Sequence, residues 1–389
     1  MADLQSLRVI VAGGGAVGSA TALELAARGA AVTLTDPAPV GANASGVAAG
    51  MLAPAMEAAL DPLSGGHFAL FKAARELWPD FIERHRLQVE PHRCGAVWTG
   101  GADAAAKLLG RLQSFGAVVE AVEGAWVEAM SPGARPGEAS VFTPEDWRLE
   151  PLPALRGLRR AFEALGGEVR ADRLTRWSDG RAGFASGAAL AADALVLATG
   201  APPQGIAASL AAELQPIKGQ IVRFPGARPT GGPVLRGAEA YLVPGSGGAM
   251  AGATMEAGRS DAAVDPEAVL RLREAAAWLA PWLRQARAEG LAGVRAGTAD
   301  GLPLAGWSGE PGLLVALGAR RNGWLLAPML AETTADILTC RDSPWARALA
   351  PDRKFTHSKT VHVAHAPCLP RRWRGGRAAG RRALPGAME

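Results

Sequence analysis

The sequence predicts an α/β protein: a doubly wound sheet domain joined to a second domain built on an antiparallel sheet. Three observations predict it. A β-branched run, RVIVA (8–12), leads into a glycine-rich turn, an alanine-rich helical stretch and a second strand. A late buried-strand run, ADALVLATGA (192–201), closes on Thr199-Gly200. Between these and the chain's end, alternating segments such as QIVRF and AYLVP read as antiparallel strands.

The opening unit reads in order. After RVIVA comes GGGAVG, which gives Gly13-x-Gly15-x-x-Gly18. SATALELAARG then reads as a helix with Ala22 and Leu25 on one face, ended by Gly29, and AAVTLT is a strand closing on Asp36. Gly13 makes the tight turn, Gly15 admits a pyrophosphate to the backbone, and Gly18 lets helix and strand pack closely. The backbone at Ala16 and Val17, at the helix N-terminus, presents free N–H groups and a positive dipole end to phosphates. Asp36, about 20 residues beyond the fingerprint, accepts ribose hydroxyls. Glycines, helix end and acid all fall at the offsets a dinucleotide needs.

Composition bounds the rest. With 389 residues, 49% hydrophobic and 20% charged, the chain holds one large or two ordinary cored domains. Of its 41 Lys and Arg and 37 Asp and Glu, seven and one lie in residues 356–389, leaving 34 against 36 before them. The body is therefore near neutral and offers no nucleic-acid surface. Cys94, Cys340 and Cys368 lie far apart with no metal spacing, which favours a reducing compartment. The opening residues pass straight into a strand, and the longest uncharged run, 37–56, is broken by Pro, Gly and Asn. A cytoplasmic protein without a membrane span is expected, and a homo-oligomer is compatible with the sequence.

A flavoprotein reduced by a nicotinamide cofactor carries a second glycine fingerprint. GSGGAM (245–250) has the wrong spacing for one. The single fingerprint with the late ATG strand points to FAD in a glutathione-reductase-like fold, the substrate itself giving the hydride.

ASGVAAGMLAP (44–54) resembles the flavin-contacting loop of the glycine oxidase branch of the D-amino-acid oxidase superfamily. Three further blocks follow in the family's order: PIKGQ (216–220), then YLVP…GATME (241–256), then VRAGTADGLPLAG (294–306) with GARRNGWLLAP (318–328). The likeness runs from about residue 7 to 355, nearly the whole body. It implies a doubly wound FAD domain in residues 1–85, 140–210 and 295–355. It also implies an antiparallel-sheet substrate domain in residues 86–139 and 211–294. FAD would be non-covalent, since no cysteine falls in the matched loops, and would touch Ser45, Ala48, Ala49, Gly50, Met51, Thr199, Gly200, Asn322, Gly323 and Trp324.

The implied chemistry is hydride transfer from the Cα of an amine, with oxygen as acceptor and no metal. The histidines agree: His67, His85 and His92 lie in polar stretches expected at the surface, and the other three in the tail. An amino-acid substrate needs a cation for its carboxylate, and arginine's planar fork binds one through paired charged hydrogen bonds. The resemblance places Arg295 as the main clamp and Arg321 as a second cation or gate, both also near the flavin. Tyr241, the only tyrosine in the chain, would supply a hydroxyl, with Met51 and Met255 as apolar walls.

Arg320 departs from the family pattern, where an aromatic residue or His is common; it reads as solvent-facing or structural. The expected reaction is oxidation of glycine or a related small amine to imine or glyoxylate, ammonia and hydrogen peroxide, chemistry that in this family feeds thiazole formation for thiamine. Alternatives are a D-amino-acid dehydrogenase, a sarcosine- or tRNA-side-chain-oxidising relative, and a non-catalytic flavin binder. VDPEAVLRLREAAAWLAPWL (264–283) reads as an amphipathic helix with its tryptophans in the core. Residues 356–389, rich in Pro, Gly and Arg without apolar periodicity, read as a disordered basic tail.

Overall fold

The computed structural model describes residues 4, 5, 7–201, 204–227 and 231–353, so the expected tail lies outside the described residues. A six-stranded sheet runs in the order Leu304–Trp307, Leu313–Leu317, Ala194–Leu197, Arg8–Ala12, Ala31–Thr35, Glu168–Arg170. Its pairs are parallel except the edge pair Leu304–Trp307 with Leu313–Leu317. Ala194–Leu197 is buried along its whole length, as a strand covered on both faces must be.

One face packs on the helices Ala16–Ala27 and Gly323–Leu338, through Val9, Val11, Leu23, Leu25 and Leu325. The other is covered by the three-stranded meander Leu174–Ser178, Arg181–Phe184, Ala189–Ala191, which contributes Leu174, Ala182 and Phe184 to a core with Ile10, Leu195 and Val315. Pro328 lies inside Gly323–Leu338 and cannot donate to the carbonyl four residues back. The Trp78 indole N–H donates to that carbonyl, Trp324 O, at 3.1 Å.

The second sheet has nine strands. Gln215–Pro225 runs through its centre, pairing antiparallel with Gly248–Gly252 and Glu256–Ala257 on one side and with Glu289–Gly297 on the other. The hairpin Tyr241–Gly245 with Gly248–Gly252 forms where the sequence implied it. Val234–Arg236 and Ala96–Gly100 make a parallel pair in this otherwise antiparallel sheet, followed by Ala139–Thr143 and Glu120–Val122. The strands Ala139–Thr143 and Glu289–Gly297 run across the expected boundaries at residues 140 and 295.

The expected amphipathic helix is Pro266–Leu279, and the Asp265 side chain accepts from Glu267 N–H at 3.0 Å to cap it. Its core face is Leu272, Ala276 and Leu279. Trp278, expected in the core, instead faces outward at 39% exposed. His85 is corrected the other way: it is buried, its Nε2 lying 2.8 Å from buried Glu24 where the helix Phe68–Arg84 ends. Among the described residues no helix is long and apolar enough to cross a membrane.

Candidate active site

At the carboxyl end of Arg8–Ala12 the chain turns at Gly13, whose φ of 109° suits glycine alone. A Cβ at Gly18 would overlap Gly13 O, so the third glycine is fixed by contact between turn and helix. Asp36 accepts from Gly14 N–H at 2.6 Å and from Ala38 N–H at 2.8 Å, which sets its carboxylate beside the turn. The Ser45 hydroxyl accepts from Ala16 N–H at 2.9 Å, and a Cβ at Gly15 would come within 2.9 Å of that same oxygen. Gly200 lies next in space, its carbonyl accepting from Gly318 N–H at 3.1 Å, with Thr199 exposed beside it. Gly13, Gly15, Ala16, Val17, Gly18, Asp36, Ser45, Thr199 and Gly200 thus gather where the parallel strands end.

A cavity of about 440 Å³ opens between the two sheets. Ala48, Ala49, Gly50 and Met51 line it from the loop after Ser45, and Asn322 and Trp324 from the start of Gly323–Leu338. That helix begins without a side-chain cap, so its free N–H groups and positive dipole end point toward the cavity. The Asn322 side chain is buried and makes no hydrogen bond among the described residues. A Cβ at Gly323 would meet nothing within 4 Å, so protein packing does not require glycine there. Trp324 is pinned, its indole N–H donating to Ser45 O at 3.0 Å. A thin loop, an uncapped helix start and an unpartnered amide fit the polar edge of a flavin ring, and the glycine turn fits its pyrophosphate.

Arg295, Tyr241 and Met255 line the same cavity from the second sheet. Arg295 donates to Thr254 O at 3.1 Å and to Met255 Sδ at 3.3 Å; among the described residues it has no ion-pair partner. Burial pushes its guanidinium below the usual arginine range, as expected for a cation with no anion to meet. Its seat depends on Gly219, since a Cβ there would overlap Arg295 Nη2. The Tyr241 hydroxyl makes no hydrogen bond among the described residues, and burial raises it further from ionisation. A Cβ at Gly252, its register partner, would overlap the phenol oxygen.

Arg321 lines the cavity too, but it is paired. Its Nε lies 2.8 Å from Glu57 Oε2, and Arg236 Nη2 lies 2.9 Å from Glu57 Oε1. Burial alone would raise the Glu57 carboxyl, but the Arg321 and Arg236 guanidiniums hold it below its ordinary range. Arg236 Nη2 also donates to Met51 Sδ at 3.3 Å. Beneath them Asp146 accepts from Ala55 and Met56 N–H and is buried; that burial pushes its carboxyl up to about 7. Arg320 pairs with buried Asp61, so of its two expected readings the structural one holds. Sequence reasoning missed Glu57, Arg236, Asp146 and Gly219; only Gly219, inside PIKGQ, lay in a stretch it had marked. The cluster of two arginines and one glutamate keeps one excess positive charge beside Arg295.

Fold and cavity together define a flavin-dependent oxidoreductase with a cationic cavity between its sheets. The profile of the DAO family, described as FAD dependent oxidoreductase, matches residues 8–337. This chain belongs to that family, and FAD is its cofactor. Within the family it is similar to glycine oxidase of Geobacillus kaustophilus, 30% identical over 380 residues, which covers 91% of this chain and 98% of that protein. It is also 31% identical over 359 residues to the bifunctional protein ThiO/ThiG of a Nostoc species, covering 85% of this chain and 52% of that one. The crystal structure of the Geobacillus glycine oxidase superposes with a TM-score of 0.80 at 26% identity, over 90% of this chain and all of that one.

Proposed function

We propose that this chain oxidises glycine or a related small amino acid to its imine, which water converts to the oxo acid (glyoxylate from glycine) and ammonia, with oxygen reduced to hydrogen peroxide. The observation that carries this reading is Arg295, a cation on the cavity wall that has no ion-pair partner among the described residues, on the same cavity as the Tyr241 hydroxyl, which makes no hydrogen bond among them. Bound FAD would supply the acceptor for the substrate's Cα hydride, with oxygen as the final acceptor of the electron pair.

The protein's part is to bind, orient and exclude water. Arg295 receives the substrate carboxylate through its guanidinium, and Tyr241 donates its O–H to a carboxylate oxygen. Met51 and Met255 close the apolar sides. The carboxylates lining the cavity are Glu57, held by two arginines, and Glu239, exposed at the rim. Neither is placed to take the ammonium proton, so the amine loses it to water before the hydride leaves. FAD contact is proposed for Gly13, Gly15, Ala16, Val17, Gly18, Asp36, Ser45, Ala48–Met51, Thr199, Gly200 and Asn322–Trp324. The two-domain division, the cytoplasmic location and the thiazole-forming role implied by the family resemblance belong to the same proposal.

Anaerobic titration of the purified flavoprotein with glycine tests it. Bleaching of the oxidised flavin band, with peroxide appearing on admission of air, is the expected result. A band untouched by glycine, sarcosine and D-alanine alike would overturn the reading.

A further inference from the structure

A second cavity, of about 280 Å³, adjoins the first. The two meet beyond one row of the second sheet. In that row Trp98 pairs with Arg236 and Arg236 with Tyr241, and all three residues line the first cavity. The Trp98 ring reaches further than its neighbours. A Cβ at Gly100 would come within 2.5 Å of its six-membered ring, so the indole lies over Gly100, which lines the second cavity and not the first. Trp98 is only 5% exposed, and its one ring is a wall of both spaces.

Small residues leave the second chamber its room. Ala104, Ala238 and Ala240 bring one methyl each, while Ala275, Trp278 and Leu279 of the helix Pro266–Leu279 bound it elsewhere. A Cβ at Gly237 would stand 3.2 Å from Leu279 Cδ2, so the loop meets that helix through a glycine. Two polar residues belong to the lining. Thr99 Oγ1 is committed, accepting from Gly137 N–H at 2.6 Å and from the Ser140 hydroxyl at 2.9 Å, and Glu239 is solvent-exposed. The surface the chamber presents is almost wholly apolar. A polar chain end would lose water there and gain little in return, whereas an apolar one gains by leaving water.

We propose that this chamber receives an apolar side chain of the amino-acid substrate, of norleucine or phenylalanine size. The proposal rests on the oxidase reading above and narrows its substrate class. Glycine leaves the chamber to water. An amino acid with a long apolar side chain fills both spaces, its carboxylate on Arg295 and its side chain along the Trp98 ring.

The test is anaerobic reduction of the full-length holoenzyme, at low substrate concentration, by glycine, alanine, norleucine and glutamine. The chiral three are tried as both enantiomers and the faster of each is taken. Norleucine should exceed alanine by about tenfold or more, the worth of two or three buried methylenes. Glutamine, of similar length but polar at its end, should fall about tenfold below norleucine because its amide finds no partner. Ala275→Trp, which fills the chamber, should remove most of the norleucine advantage and leave glycine nearly unchanged. Ala275→Leu makes the same comparison should the tryptophan variant lose its flavin. Norleucine no faster than alanine, while glycine reduces the flavin, would overturn the chamber alone. So would glutamine matching norleucine, or a norleucine-to-alanine ratio unmoved in the filled variants. A flavin that none of the four reduces would overturn the oxidase reading and the chamber with it.

Discussion

Arg321 Nε lies 2.8 Å from Glu57 Oε2, whereas Arg295 on the same cavity meets a backbone carbonyl and a thioether and, among the described residues, no acid. The two arginines, which the family resemblance ranks as main clamp and second cation, therefore differ in what they already hold. A paired guanidinium has spent most of its field on its partner, and an unpaired one keeps it for a ligand.

Replacing Arg295 should therefore cost more in catalysis than replacing Arg321. Arg295→Ala is expected to lose about 2–4 kcal/mol of transition-state binding, or roughly 30- to 1,000-fold in kcat/KM. The loss should appear mainly as KM if the carboxylate contact is equal in ground and transition states. Oxygen uptake with glycine measures it, and a loss under about threefold would remove Arg295 from the substrate.

Glu57 should matter more for folding than any other acid on the cavity. It is 3% exposed and serves both Arg236 and Arg321, so Glu57→Leu leaves two guanidiniums without an anion. Breaking such a buried group is worth about 3–5 kcal/mol of stability, and Glu57→Gln, which keeps an acceptor, should lie at or below the low end. Urea unfolding followed by far-UV circular dichroism reads it. A midpoint unchanged in Glu57→Leu would mean the arginines find water instead.

What could be read from the chain depended on whether a residue belonged to a local pattern. Gly13, Gly18 and Asp36 sit within one βαβ unit, where spacing carries the geometry, and the turn forms at those positions. Arg295 and Tyr241 lay in blocks with a family likeness. Glu57, Arg236 and Asp146 come from PAMEAAL, VLR and EDW, stretches remote in sequence that only tertiary packing joins. His85 misled for the same reason: it sits in a charged stretch, ERHR, yet Glu24 of the first helix is its partner. Trp278 misled through periodicity, because the helix Pro266–Leu279 buries leucines and alanines and turns its tryptophan outward.

Thr254 should act on the substrate through Arg295. Its carbonyl accepts from Arg295 Nη2, while its hydroxyl accepts from Gln220 N–H at 2.9 Å and donates to Glu256 Oε1 at 2.8 Å. Gln220 is buried and donates from Nε2 to the same Glu256 oxygen at 2.7 Å, locking the segment. Thr254→Val removes the hydroxyl but not the carbonyl. It should raise KM for glycine by about three- to tenfold, the worth of one or two hydrogen bonds, with kcat nearly unchanged. Thr254→Ser should restore it. Equal losses in both variants would assign the effect to packing.

Asp146 should give stability a pH dependence opposite to that of an ordinary paired carboxylate. Burial opposes its ionisation, only partly offset by Arg236 and the Ala55 and Met56 N–H groups, and its carboxyl rises from 3.8 to about 7. Below about pH 4 it is neutral in both folded and unfolded chains and contributes nothing to linkage. Between about pH 4 and 7 the unfolded chain ionises while the folded one stays protonated, so folding loses stability as pH rises. Above 7 both are charged and the penalty is constant. Asp146→Asn cannot ionise in either state, so its stability relative to the native protein should climb across that window and then level. The climb should be on the order of 4 kcal/mol, levelling about one unit above pH 7. Urea midpoints of the two proteins at pH 5, 6, 7 and 8 decide it. A relative stability that falls with pH would mean that the helix N–H groups and Arg236 outweigh burial, and that Asp146 is charged beneath the Glu57 cluster.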